Sequence, residues 1–256
     1  VIMAAGHSPM EQFEIKTLVP IELAGFDVSF TNSSLWMLLA VVCSAAFLTL
    51  GVKRDGIVPG RLQSIVEILH DFIMRQTVMP VMGESGRRFF PLLFTFFIFI
   101  FFTNFMGLLP YSFTVTSHIA VTFAMALLVF ALVLVVGFWT HGLRFLTLFV
   151  PSGVPAWIMP VIVPIEVISF LSRPISLSLR LAANMLAGHT MLKVFAGFVV
   201  SLLGAGGVFS ALAIAPLLAG VALTALEVLV AAVQAWVFTM LTCIYLNEAV
   251  HLHDHH

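Results

Sequence analysis

Charge is what this 256-residue chain has least of. Asp, Glu, Lys and Arg make up only 9% of it, 61% is hydrophobic, and the mean hydropathy is +1.13. A soluble domain carries roughly 25% charged residues, so this chain cannot cover a water-facing surface, and a soluble globular protein is excluded. The formal net charge of −1 offers no attraction to a polyanion, and nucleic acid is not expected as a partner. Cysteine is scarce too: Cys43 and Cys243 both sit in apolar runs and read as small core residues, not as a disulfide. The opening VIMAAGHSPMEQFEIK lacks a basic stretch followed by a long apolar core, so no secretory leader is expected there. Neither HExxH nor GxSxG occurs, which argues against an intramembrane protease. His118, His141 and His189 occur singly on separate apolar segments, which does not suit a pair of facing haem ligands. No internal repeat is evident, which weighs against a transporter built from inverted halves. The closing HLHDHH reads as a polar tail, and no metal or cofactor is expected.

What the chain does have is long apolar runs. About 20 apolar residues cross a bilayer core of about 30 Å. A first span is expected over 34–52, around WMLLAVVCSAAFLTL. Residues 61–82 place apolar side chains at helical spacing with Glu67, Asp71 and Arg75 between them, the pattern of an amphipathic helix on the membrane surface. The segment 89–139 reads as a helical hairpin, its first span ended by Pro110. Pro151, Pro155, Pro160 and Pro164 then suggest a broken, partly re-entrant approach to the next helix. Two long helices follow, over about 161–203 and 208–248, turned at Gly204, Gly206 and Gly207. Each is about twice the length needed to span, so a strongly tilted hairpin is expected. Residues 1–32 form an external, mildly acidic segment in which SPMEQFEIKTLV suits a short helix, with Ser8 as cap and Pro9 at its first position. Basic residues cluster in the loops after the first and third spans, which places those loops and the C-terminus in the cytoplasm or a matrix and the N-terminus outside. The expected fold is an all-α integral membrane protein: one membrane domain over 1–256 with about five membrane helices and a surface helix.

The polar residues of the last two helices are the informative ones. At about 100° per residue, a step of seven returns to within about 20° of the same face. Glu166, Arg173 and Arg180 therefore share a stripe, and Asn184 lies about 40° from Arg180. His189 falls about half a turn away, on the side of Lys193. Glu227, Gln234 and Tyr245 make one stripe on the second helix. An arginine at bilayer depth costs roughly 2.5 to 3.5 kcal/mol on insertion scales. Arg180 either pairs with a carboxylate of its own chain or meets something outside it. Asn184 and Gln234 suit either interhelical hydrogen bonding or a hydrated path. His189 and Glu227 can exchange protons, whereas a guanidinium holds its proton and stops passage.

RPISLSLRLAANMLAGH, with LEVLVAAVQAWVFTMLTCIYL further on and TNFMGLLPYSF earlier, resembles subunit a of the F-type ATP synthase membrane sector. The resemblance covers about residues 85 to 248. It implies a non-catalytic subunit beside a rotating ring of c subunits, with peripheral-stalk b-type subunits, the remaining synthase subunits and membrane lipid as partners. It implies that Arg180 faces the ring carboxylate and blocks a short circuit between two aqueous half-channels. Glu227 and His189 match the paired polar positions near the inlet, Asn184 and Gln234 match polar positions near the arginine, and Glu166 and Tyr245 match further channel-side sites. Lys193, His118 and Arg173 are added to the proton path. The implied setting is a bacterial inner membrane of alpha-proteobacterial type, with the mitochondrial inner membrane as the alternative.

Overall fold

A bilayer offers the backbone no hydrogen-bond partners, so apolar runs in it must close their own bonds as helices. The computed structural model describes residues 14–20, 22–23, 26–27, 29–52, 60–109, 112–150 and 157–251. Its helices are α1 (Asn32–Gly51), α2 (Arg61–Ile73), α3 (Met79–Met82), α4 (Phe90–Gly107), α5 (Ile119–His141), α6 (Met159–Ala205), α7 (Val208–Leu212) and α8 (Ile214–Val250). Five stretches, Asn32–Gly51, Phe90–Gly107, Ile119–Phe149, Met159–Ala205 and Val208–Val250, are long and apolar enough to cross a membrane. The chain is an all-α, multi-pass membrane protein.

Several details depart from expectation. Residues 14–16 are irregular and Thr17–Val19 is a strand, β1, so SPMEQFEIKTLV does not continue as a helix; Ser8 and Pro9 lie outside the described residues. Pro160 and Pro164 do not break the start of α6. The helix begins at Met159, takes Pro160 in its first turn, where a missing N–H costs little, and carries Pro164 and Pro174 inside it. Pro151 and Pro155 lie outside the described residues, as does Pro110, and α4 has already ended at Gly107. Of the turn glycines, Gly206 and Gly207 adopt positive φ (68° and 61°), while Gly204 remains helical.

The described residues form two compact units. One comprises Val1–Phe47, Ile98–His118 and Leu181–Ala235. Here β1 pairs antiparallel with β4 (Phe30–Thr31), and β2 (Glu22–Leu23) with β3 (Phe26–Asp27). Asn32 fastens this ribbon to the start of α1. Its Nδ2 donates to the Glu14 carbonyl at 3.1 Å, its Oδ1 accepts from the Lys16 N–H at 3.1 Å, and its own N–H donates to the Lys16 carbonyl at 3.0 Å. Deeper in the unit, fully buried Asn104 on α4 donates from Nδ2 to the Ala231 carbonyl of α8 at 3.2 Å.

The other unit comprises Leu48–Phe97, Ile119–Arg180 and Trp236–His256. The amphipathic segment appears here as α2, a π turn over Met74–Val78, and α3. Glu67, Asp71 and Arg75 are exposed, while Ile73, Thr77 and Val78 are fully buried. Thr77 anchors the segment to α8: its hydroxyl accepts from Trp236 Nε1 at 3.0 Å, and its carbonyl accepts a weak bond from the Cys243 thiol. Both cysteines are free. On α5 the stripe Thr122, Ala126, Val129, Val133 and Gly137 is buried. Phe145, from the 3₁₀ turn Gly142–Phe149, fills the notch left by Gly137, and His141 Nε2 caps α8 by donating to the Val250 carbonyl at 2.9 Å. A Cβ on Gly137 would stand 2.3 Å from the Phe145 ring. The substitution Gly137→Val is therefore expected to expel that ring and cost about 1–3 kcal/mol by overpacking, read as a lowered midpoint of thermal unfolding in detergent.

Candidate functional site

The polar residues of α6 and α8 meet in pairs. In the first unit, buried His189 faces buried Glu227, with Nδ1 3.6 Å from Oε1. His189 Nε2 and both Glu227 carboxyl oxygens are buried and make no hydrogen bond to any described residue. Leaving such groups unsatisfied costs about 1–3 kcal/mol each, so packing alone does not explain them. Gly188 makes room for this pair, since a Cβ there would lie 2.6 Å from Glu227 Oε1. His189 also lines a cleft of about 770 Å³ with Glu14, Lys16, Asn32, Trp36 and Lys193. Phe113, another lining residue, stacks on His118 with ring centroids 4.9 Å apart.

Five residues before His189, Asn184 Nδ2 donates to Gln234 Oε1 at 3.0 Å. The helical rotation puts Asn184 and His189 on nearly opposite sides of α6, yet both reach α8. Asn184 is exposed, at the edge of the contact, and the long side chain of buried Gln234 closes the distance. The interhelical hydrogen bond expected as one alternative is thus present.

In the second unit, Arg173 is paired with Glu248 at the end of α8. Its guanidinium lies over the rings of Phe170 and Tyr245, at 5.2 and 5.0 Å from their centroids. Glu166 is half-buried on the same helix. Arg180, one stripe position beyond Arg173, differs from it in both respects: it is exposed, and no hydrogen bond or ion pair reaches its guanidinium from any described residue. The carboxylate that locks two helices together serves Arg173, and no carboxylate of the described residues pairs with Arg180. Around Arg180 the exposed face carries Ser172, Ser176 and Leu179.

Glu248, Asn104, Glu14 and Lys16 were not singled out from the sequence. Glu248 stands at the expected end of a helix, where an acid reads as solvated. Asn104 is the one strongly polar side chain in a run of Phe, Ile and Thr, a signal that could have marked it. Among the described residues no group of three or more His, Cys, Asp or Glu side chains is placed to hold a metal ion.

Apolar helices with a carboxyl–imidazole pair, an amide pair and an unpaired guanidinium within their spans define a multi-pass membrane protein with ionisable groups at membrane depth, a class in which such groups mark ion pathways. The comparison with known sequences narrows the class. The sequence model of the family described as ATP synthase A chain matches residues 34–247, and the chain belongs to that family. It is 58% identical over 243 residues to ATP synthase subunit a of Mesorhizobium japonicum, covering 95% of this chain and 96% of the relative. It is 57% identical over 243 residues to ATP synthase subunit a of Chelativorans sp. (strain BNC1), covering 95% and 97%. For ATP synthase subunit a of Parvibaculum lavamentivorans the identity is 56% over 243 residues, covering 95% and 93%.

Two outcomes are expected. Gly188→Val displaces the Glu227 carboxyl and abolishes proton pumping by the assembled complex while leaving its assembly intact, as a quench assay on inverted vesicles together with native electrophoresis will show. Glu248→Gln removes the charge partner of half-buried Arg173 and costs about 1–3 kcal/mol, read as a lowered midpoint of thermal unfolding in detergent, with partial recovery in the double variant Arg173→Gln/Glu248→Gln.

Proposed function

We propose that this chain is the stationary proton-translocating subunit of an F-type ATP synthase, working against a ring of c subunits in a bacterial inner membrane. The observation that carries the reading is Arg180: a permanent cation on an apolar helix, exposed, with no ion-pair partner among the described residues. Membership of the family supports it, since the relatives are named as subunits of that complex.

Protons enter from outside through the cleft lined by His189 and Lys193 and pass between His189 and Glu227 toward the ring. The Asn184–Gln234 pair offers hydrogen-bonding groups along the way, and His118 flanks the cleft behind Phe113. A carboxylate on the ring takes the proton, becomes neutral, and moves through lipid. On the far side it meets Arg180. At about 4 Å and an effective dielectric near 20, a guanidinium favours an ionised carboxylate by about 4 kcal/mol, or roughly a thousandfold. The proton is released there and leaves on the cytoplasmic side past Glu166, with Arg173 and Tyr245 alongside. Arg180 keeps its own proton, so the two half-channels do not connect directly.

The small residues Ser172 and Ser176 beside Arg180 let a ring helix approach closely. The long α6 and α8 lie strongly tilted to follow the ring. Arg61, Arg75, Arg87, Arg88 and Arg144 face the cytoplasm, α2 lies along that membrane surface, and the N-terminal ribbon is outside. The subunit performs no catalysis alone; b-type stalk subunits hold it against the remaining synthase subunits, and lipid covers its apolar faces. The experiment is Arg180→Ala in the assembled complex in vesicles. ATP-driven pumping is expected to fall at least about a hundredfold, as for loss of a group acting through several kcal/mol, while passive proton leak is retained or rises. Normal pumping would return Arg180 to a structural role.

A further inference from the structure

The cleft of the first unit has a rim as well as a floor. His189 is buried, whereas Glu14 and Lys16 are exposed, on the segment that Asn32 fastens beside the cleft with three hydrogen bonds. Lys193, also exposed, lines it too. Among the described residues the head groups of Glu14, Lys16 and Lys193 make no hydrogen bond or ion pair, with one another or with anything else. Those three, with His189, are the charged and titratable groups lining the cleft; Glu227 stands behind His189, and His118 behind Phe113. A carboxylate held by its backbone at the edge of a polar cleft, exposed and engaged by no described residue, meets the medium and the cleft at once.

We propose that Glu14 is the proton-collecting carboxylate of the inlet. The inference rests on the reading of this cleft as the inlet. A hydronium ion or a protonated buffer gives its proton to the Glu14 carboxylate. The donor's O–H or N–H bond breaks, an O–H bond forms on Glu14, and the donor departs with one positive charge fewer. The proton then passes to water in the cleft and the carboxylate is restored. The need for such a group follows from supply. With a diffusional rate constant of about 10¹⁰ M⁻¹s⁻¹, an opening fed by hydronium alone at pH 8 would receive roughly 100 protons per second. A carboxylate that also accepts protons from buffer molecules draws on a far larger pool. Lys16 and Lys193 complement it: two ammonium groups against one carboxylate disfavour metal cations in the cleft, while protons travel along hydrogen-bonded water.

The test is Glu14→Gln in the assembled complex, reconstituted with the cleft side facing the vesicle lumen. ATP synthesis is driven by a potassium–valinomycin potential with the lumen at pH 8. In a sparsely buffered lumen the variant is expected to run about threefold to tenfold slower than the native complex; a lumen dense in imidazole buffer restores the native rate, and Glu14→Asp matches the native complex in both. Equal rates for Glu14→Gln and native in sparse buffer overturn the proposal, and so does a deficit that persists in dense buffer. Glu227→Gln, measured alongside, separates the two levels of inference. It is expected to stop synthesis at both buffer strengths; if it synthesises ATP normally, the inlet reading itself fails. If Glu227→Gln stops synthesis and Glu14→Gln shows no buffer dependence, the collecting role alone falls.

Discussion

The low dielectric of a bilayer penalises every polar group that lacks a partner, and the pairing of α6 with α8 is organised by that penalty. In one unit it joins His189 to Glu227 and Asn184 to Gln234; in the other it joins Arg173 to Glu248. Three polar side chains of α6 thus find counterparts on α8, which sets the register of each contact more sharply than apolar packing could. Dispersion contacts between Leu, Val and Ala are nearly as good after a slide of one residue. A carboxylate opposite an arginine is not. Against these matched groups, Arg180 stands out as an exposed guanidinium on the same helix with no ion pair to any described residue.

Much of this was legible in the sequence. The five spans follow from run length and hydropathy, because a bilayer admits few other structures. The stripes on α6 and α8 follow from helical period, and Glu227, Gln234 and Tyr245 do turn toward polar residues of α6. The failures have definite causes. Proline reads as a breaker because it removes a backbone donor, but Pro164 and Pro174 sit within an α6 that continues through both. The strands β2 and β3 are two residues each, too short for any periodicity to show. Glu248 carries no signal in the sequence, and only the fold shows that it and Arg173 are one feature.

The π turn at Met74–Val78 has the same character. A one-residue surplus leaves no mark in hydropathy, yet it shifts the face that the segment buries. Thr77 becomes fully enclosed, with a hydroxyl and a carbonyl both engaged by α8. An amphipathic pattern identified the helix, but it could not say that its final turns are held by protein.

The clasp around Arg173 bears on mechanics as well as on charge. In the proposed role, a subunit that stays still beside a turning neighbour is dragged sideways at every step. Two greasy rods in contact resist being pulled apart but slide along one another with little opposition. An ion pair flanked by two aromatic rings, at the far end of α8, acts as cross-bracing against that shear. In that role, load on the exposed face of α6 near Arg180 would pass within two helical turns to the last turns of α8. The clasp thus adds a fixed joint to the aromatic packing that already holds α6 in this region.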